Sequence, residues 1–179
     1  MSKTRILAIG ATGALTVGLA AAALSPAAGA DDGAGAVHAR ATIVDVAGAT
    51  VGFARFNEDA AGRVHVNVKV EGLTPGLHGI HLHGVGACAP DFNAAASHHN
   101  PLGAPHGAHA GDLPNLIVNE DGQGRVNATV ERFTLTPGAT TVFDADGSAI
   151  IVHALADDFV TQPTGGSGGR IACGVLTPS

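Results

Sequence analysis

Apolar and polar residues alternate in short runs along most of this 179-residue chain. The clearest run is 63–70, where valine fills every even position and His65, Asn67 and Lys69 stand between the valines. A period of two places alternate side chains on opposite faces of a β-strand. Further short alternating or apolar runs follow the same logic: 41–46, 51–56, 115–119, 125–133, 149–152 and 171–176. No helical period persists beyond the first 30 residues.

Seven or eight such runs, separated by turn signals such as Asp121-Gly122, predict an all-β domain built as a sandwich or barrel. Two stretches, 85–114 and 154–169, do not fit the pattern and are rich in Gly, Pro and Ala. Irregular stretches of that length in a domain are functional or disordered. Histidines in the first of them favour a functional loop.

The first 30 residues have the organisation of a secretory signal peptide. Lys3 and Arg5 precede an apolar stretch at 6–24, and Ala28-Gly29-Ala30 resembles a cleavage site. The alternative is a retained membrane anchor, but Gly, Ser and Thr interrupt the apolar stretch. We therefore expect cleavage, an exported protein without stable membrane insertion, and one mature domain at 31–179.

The charge of the chain restricts its partners. The net charge is −6, and removal of 1–30 leaves seven Lys and Arg against fifteen Asp and Glu, a net charge of −8. This acidic balance argues against nucleic acid and anionic membranes as partners. Two cysteines in an exported chain favour a disulfide, worth about 4 kcal/mol for a long loop.

Ten histidines are present, and seven of them fall between His78 and His109. His81 and His83 share one face of a strand, with Leu82 directed to the core. His106 and His109, with two residues between them, suit delivery of two ligands by one turn, and Asp112 adds a carboxylate. Imidazole-rich sites without thiolate suit copper and zinc. The alternative is a loop that binds metal loosely or not at all.

Several motifs in order resemble copper/zinc superoxide dismutase. They are His78-Gly79-Ile80-His81-Leu82-His83, Cys88, His98-His99-Asn100-Pro101, His109-Ala110-Gly111-Asp112-Leu113, Val152-His153, Ala156-Asp157-Asp158 and Gly169-Arg170-Ile171-Ala172-Cys173-Gly174-Val175. The resemblance covers about 76–176. It implies a Greek-key, eight-stranded β-sandwich or barrel with two long functional loops, and this family is itself a known example of the sandwich architecture.

The resemblance also implies roles for the site residues. Copper would be held by His81, His83, His98 and His153. Zinc would be held by His98, His106, His109 and Asp112, with His98 shared between the metals. Asp157 would hydrogen-bond one ligand of each metal, Arg170 would stand beside the open copper position, and Cys88 would pair with Cys173. His78 would bond backbone rather than metal.

The implied activity is disproportionation of superoxide to dioxygen and hydrogen peroxide, with Arg170 and His98 as the catalytic residues. The chain departs from the family pattern in the short spacer between His106 and His109, which puts the zinc site in question. It also departs at His99, which either packs or offers an extra ligand.

Three other functions remain open. They are an exported copper or zinc carrier without dismutase activity, a copper-only dismutase, and a silent structural sandwich. The sequence leaves the oligomeric state open and is compatible with a homodimer.

Overall fold

The structure is a computed structural model that describes Met1 and residues 37–179. The predicted signal peptide at 1–30 lies outside the described residues apart from Met1, so its cleavage remains a prediction. Among the described residues, no helix has the length and apolarity needed to cross a membrane.

The regular secondary structure of the described residues is almost entirely β-strand, which confirms the predicted fold class. The strands are β1 (Val37–Asp45), β2 (Thr50–Glu58), β3 (Val64–Val70), β4 (Gly76–His78), β5 (Ile80–His83), β6 (Leu116–Val118), β7 (Gly124–Val130), β8 (Ala149–His153), β9 (Arg170–Val175) and β10 (Thr177–Pro178). One short 3₁₀ helix, Phe92–Ala95, interrupts the first long loop.

The sheet is a nearly closed antiparallel barrel. Its strand order is β4-β6-β7-β3-β2-β1-β9-β8-β5, with β10 paired to β1. Gly79 alone separates β4 from β5 in the chain, so the two ends of this order meet. If β4 and β5 are counted as one interrupted strand and two-residue β10 is set aside, the eight strands of the prediction remain.

The alternation in the sequence determines which side chains enter the barrel. All four valines of β3 are buried, whereas His65 and Lys69 between them are exposed. Phe56 from β2 meets Phe133 edge-on, with ring centroids 6.3 Å apart, and both rings are fully buried. Burial of such aromatic and branched side chains is the main driving force for folding.

The structure corrects two strand boundaries and adds one long loop. The first strand, expected at 41–46, already begins at Val37. The strand expected at 125–133 ends at Val130, and Phe133 reaches the core from the loop that follows. No periodic pattern or motif in the sequence predicts that loop, 131–148. It is attached by the buried Glu58 carboxylate, which accepts hydrogen bonds from Leu135 N (2.6 Å), Thr136 N (2.8 Å) and Thr136 Oγ1 (2.6 Å).

Candidate metal centre

Two paired strands and the first long loop bring the histidines together. His81 and His83 lie on β5, which pairs with β8 and so places His153 beside them. The loop returns along β5, where His98 forms a backbone bridge with His83 and Asp112 forms one with His81. Residues far apart in sequence thus converge at one end of the strands.

Four histidines form the first cluster: His81, His83, His98 and His153. Their ligand atoms lie within 4.8 Å of one another, and all four residues are buried. His83 Nδ1 donates to Ala96 O at 2.9 Å and His153 Nδ1 to Gly168 O at 3.1 Å. One nitrogen of each ring is left without a partner among the described residues: His81 Nδ1, His83 Nε2, His98 Nε2 and His153 Nε2.

Unpartnered buried nitrogens are costly unless something binds them. Four converging imidazole nitrogens with no thiolate form a donor set that suits copper. The orphaned atoms of the first cluster therefore fit a bound metal ion.

The second cluster comprises His98, His106, His109 and Asp112. Asp112 Oδ1 lies 3.0 Å from His98 Nδ1, 3.5 Å from His106 Nδ1 and 3.3 Å from His109 Nδ1. Ligand atoms about 2.0–2.1 Å from a tetrahedral zinc ion stand roughly 3.3 Å apart. These spacings fit zinc, and His98 presents one nitrogen to each cluster.

The short spacer between His106 and His109 still delivers both rings. Gly107 has φ +89°, and an added Cβ there would lie 2.5 Å from Phe159 O. Asp112 Oδ2 accepts from the backbone N–H groups of Gly107 (2.8 Å) and His109 (3.0 Å). The carboxylate therefore holds the turn with one oxygen and faces the imidazoles with the other.

Asp157 connects the two clusters. Its Oδ2 accepts from His81 Nε2 at 2.7 Å, and its Oδ1 accepts from His106 Nε2 at 2.8 Å. These bonds leave Nδ1 of each ring free for a metal, which is how outer carboxylates set tautomers. Gly165 (φ +64°) packs against this carboxylate so closely that an added Cβ would overlap Asp157 Oδ1.

Burial favours the neutral form of three histidines in the first cluster. It lowers the pKa of His81 to about 3, of His83 to about 2 and of His153 to about 4. Burial opposes ionisation of Asp112, but the hydrogen bond from His98 and the surrounding imidazoles lower its pKa to about 2. Neutral rings beside an ionised carboxylate are the protonation states that metal binding requires.

Arg170 is fixed beside the first cluster. Its Nη1 donates to Phe92 O at 2.6 Å and its Nη2 to Ala96 O at 2.5 Å. The Ala96 carbonyl oxygen thus accepts hydrogen bonds from both Arg170 and His83. Ala96 itself has φ +60° and ψ −144°, a conformation that strains a residue with a side chain.

Two of the remaining histidines near the loop belong to neither cluster. His78 Nδ1 lies 2.7 Å from His153 O and its Nε2 lies 2.9 Å from Thr74 O. His99 is buried with its Nε2 3.3 Å from Thr140 O. The contacts of His78 are those that the resemblance implied, and His99 packs against the 131–148 loop.

Three supporting residues were not identified from the sequence. Arg132 Nη2 donates to Asp112 O at 2.7 Å, Gln162 Oε1 accepts from His106 N at 2.7 Å, and Asn115 exchanges two 2.8 Å bonds with the Asp157 backbone. Each belongs to a segment remote in sequence from the backbone it holds, so no local pattern points to it.

The predicted disulfide between Cys88 and Cys173 is present, with the two Cα atoms 5.9 Å apart. It links the histidine-bearing loop to β9, the strand that begins with Arg170. The loop that carries Phe92 and Ala96 is therefore attached covalently to the strand whose arginine they bind.

Comparison with known proteins agrees with this geometry. Residues 50–176 match the family model of copper/zinc superoxide dismutase (SODC). The chain is 40% identical over 156 residues to a Cu-Zn superoxide dismutase of Deinococcus radiodurans, covering 76% of this chain and 82% of that protein. It is 39% identical over 143 residues to the superoxide dismutase-like protein YojM of Bacillus subtilis, covering 75% and 73%.

A crystal structure of a SOD-like protein from Bacillus subtilis superposes with a TM-score of 0.70 at 37% identity, covering 77% of this chain and 97% of that one. The fold and the two clusters define a metal-binding β-barrel of the dismutase type. The chain belongs to the copper/zinc superoxide dismutase family, whose members bind copper and zinc.

Proposed function

We propose that this protein is a superoxide dismutase that holds copper with His81, His83, His98 and His153. Zinc is held by His98, His106, His109 and Asp112. The observation that carries the proposal is the pair of buried four-donor clusters that share His98. Bound copper supplies one-electron chemistry between Cu(II) and Cu(I), and zinc supplies a fixed positive charge on the shared imidazole.

Arg170 and His98 have separate roles in the proposed reaction. Two superoxide ions and two protons become dioxygen and hydrogen peroxide. The guanidinium of Arg170, fixed by two carbonyls, offers charge and paired donors to the anion. Nδ1 of His98 faces the zinc cluster and its Nε2 faces the copper cluster. Nε2 would be a copper ligand and, whenever copper does not occupy it, would be the atom that holds a proton for the peroxide product.

Export is part of the proposal. The Cys88–Cys173 disulfide is compatible with an oxidising compartment. Superoxide formed outside the cell would be the substrate there.

The second candidate is a metal carrier, because the relative YojM is named only as dismutase-like. A carrier needs the clusters but not the fixed guanidinium of Arg170. Dismutase activity in protein that contains copper but no zinc would instead mean that the second cluster does not bind zinc.

One experiment separates these functions: metal analysis of the purified protein combined with a superoxide-decay assay. We expect one copper and one zinc per chain and rapid decay of superoxide.

Arg170→Gln should lower kcat/KM at least about tenfold because an anion-binding donor is lost, with the metal content unchanged. Arg63→Gln, which removes an exposed charge in the β2–β3 turn, is the control. Stoichiometric copper without activity would leave the carrier.

A further inference from the structure

Four cations form a diagonal line across the outer face of the barrel. Arg40, Arg55, Lys69 and Arg125 stand on the neighbouring strands β1, β2, β3 and β7, and all four are exposed. Arg40 lies directly opposite Arg55, and Lys69 lies directly opposite Arg125. We call these four residues the cationic stripe. It contains four of the seven Lys and Arg that follow residue 30.

The cationic stripe has no acidic partner within ion-pair distance among the described residues. None of its four side chains has an ion pair or a hydrogen bond there, whereas Arg63 nearby pairs with Asp59 at 2.8 Å. The outward positions of these four strands carry no Asp or Glu. Like charges directly opposite each other destabilise a sheet. An external anion would relieve this repulsion.

Two depressions border the stripe on β1, β2 and β3, and Arg125 lies outside both. A groove of about 990 Å³ includes Arg40, Phe53 and Arg55 in its lining. A smaller depression of about 120 Å³ continues between Phe53, Arg55, Asn67 and Lys69. Three strand spacings separate β1 from β7, about 14 Å across the sheet. This extent suits an elongated polymer better than a single compact ion.

We propose that the cationic stripe binds an acidic polysaccharide that lies across β1, β2, β3 and β7. The directly opposite pairs Arg40–Arg55 and Lys69–Arg125 stand about one strand spacing apart, about 4.8 Å. Arg55 and Lys69 are diagonal neighbours, about 7–8 Å apart. An extended chain of acidic sugars can span both spacings. Guanidinium groups bind carboxylate and sulfate oxygens in paired, charge-assisted hydrogen bonds. Phe53, 57% exposed beside Arg55, offers an apolar ring for a sugar face.

Other polyanions fit this face less well. Single-stranded nucleic acid binds through several stacking aromatic side chains, and Phe53 is the one Phe, Tyr or Trp at the outward positions of these four strands. An anionic membrane requires more buried apolar area than Phe53 supplies. The acidic character of the whole chain does not prevent binding, because salt screens charges beyond about 10 Å at 0.1 M.

Dextran sulfate is a suitable probe, with uncharged dextran of equal length as its matched control. Binding to the metal-loaded protein is measured by calorimetry at several salt concentrations between about 0.05 and 0.3 M. We expect binding to dextran sulfate and not to dextran. Arg40→Gln/Arg55→Gln should lower the slope of log affinity against log salt by about two, since each contact contributes about one.

A single-site comparison controls for net charge. Arg55→Gln should weaken binding, whereas Arg63→Gln, with the same charge change outside the stripe, should not. Superoxide decay and metal content should stay unchanged in both variants, because the metal clusters lie on β5, β8 and the loops.

Three outcomes would overturn the proposal. The first is no binding of dextran sulfate at the lowest salt. The second is equal weakening by Arg55→Gln and Arg63→Gln. The third is tighter binding of polyglutamate or a single-stranded oligonucleotide, which would assign the face to an acidic protein or to nucleic acid.

Discussion

At the scale of single residues, the Asp157 carboxylate accepts a hydrogen bond from His81 of the first cluster and one from His106 of the second cluster. Asp157→Asn replaces one accepting oxygen by an amide that must face an imidazole N–H. Either His81 or His106 then loses the hydrogen bond that fixes its tautomer and its ring orientation. We expect the affinity for copper or zinc, or both, to fall roughly ten- to hundredfold, measured by competition with a chelator.

Asp158→Asn is the matched control for this substitution. Asp158 is the exposed neighbour, and its side chain bonds only Val160 and Thr161 among the described residues. Unchanged metal affinity in Asp157→Asn would show that the link between the clusters is dispensable.

Ala96 provides a second prediction for a single residue. Its φ of +60° with ψ of −144° is a conformation that only glycine adopts freely, and such strain costs about 1–3 kcal/mol. Glycine also adds freedom to the unfolded chain, which offsets about 0.4–1 kcal/mol. Ala96→Gly should therefore raise the free energy of unfolding by about 1 kcal/mol, measured with urea.

Ala94→Gly, inside the adjacent 3₁₀ helix, is the control and should give no such gain. A loss of stability in Ala96→Gly would mean that the backbone at Ala96 is unstrained.

At the scale of an element, the turn from His106 to His109 decides whether zinc binds. Gly107→Ala would bring a methyl group to 2.5 Å from Phe159 O and would force the turn to move. We expect zinc affinity to fall by roughly tenfold or more while the copper content stays, measured by metal analysis after zinc titration.

Gly103→Ala is a close control for this turn. Gly103 also has positive φ (+65°), but an added Cβ there meets no atom within 4 Å. If the two variants lose zinc equally, backbone strain rather than the contact with Phe159 explains the effect.

Elements also show where sequence reasoning succeeds and fails. The valine alternation in β3 predicts its buried face because period two is a local property. The 131–148 loop has no such period. It depends on Glu58, 77 residues before Leu135, and on Phe133 packing against Phe56. Interactions of that range leave no local signal.

At the scale of the whole molecule, the buried imidazoles should make the metal-free protein sensitive to acid. An unfolded histidine takes up a proton near pH 6.5, but the pKa values of His81, His83 and His153 are lowered to between about 2 and 4. Below pH 6.5 the unfolded state therefore binds more protons, and stability falls by about 1.4 kcal/mol per pH unit for each ring.

The measurement is the urea midpoint of chelator-treated protein at pH 7.5, 6.0 and 5.0. We expect a falling midpoint below pH 6.5 and little change above it. Below about pH 4, Asp112 adds to the loss because its folded pKa is about 2. A midpoint that stays constant from pH 7.5 to 5.0 would contradict neutral, buried rings in the metal-free protein.

The sequence by itself determined the β-class, the inward faces of the strands and, through ordered motifs, the family and the candidate ligands. These properties are carried by neighbouring residues or by short spacings. Tertiary structure alone decided that the Ala96 carbonyl accepts hydrogen bonds from both His83 and Arg170, and that Arg132 donates a hydrogen bond to the Asp112 carbonyl. It also decided that Arg40, Arg55, Lys69 and Arg125 form one line, because strand order and register set distances between residues that the chain keeps far apart.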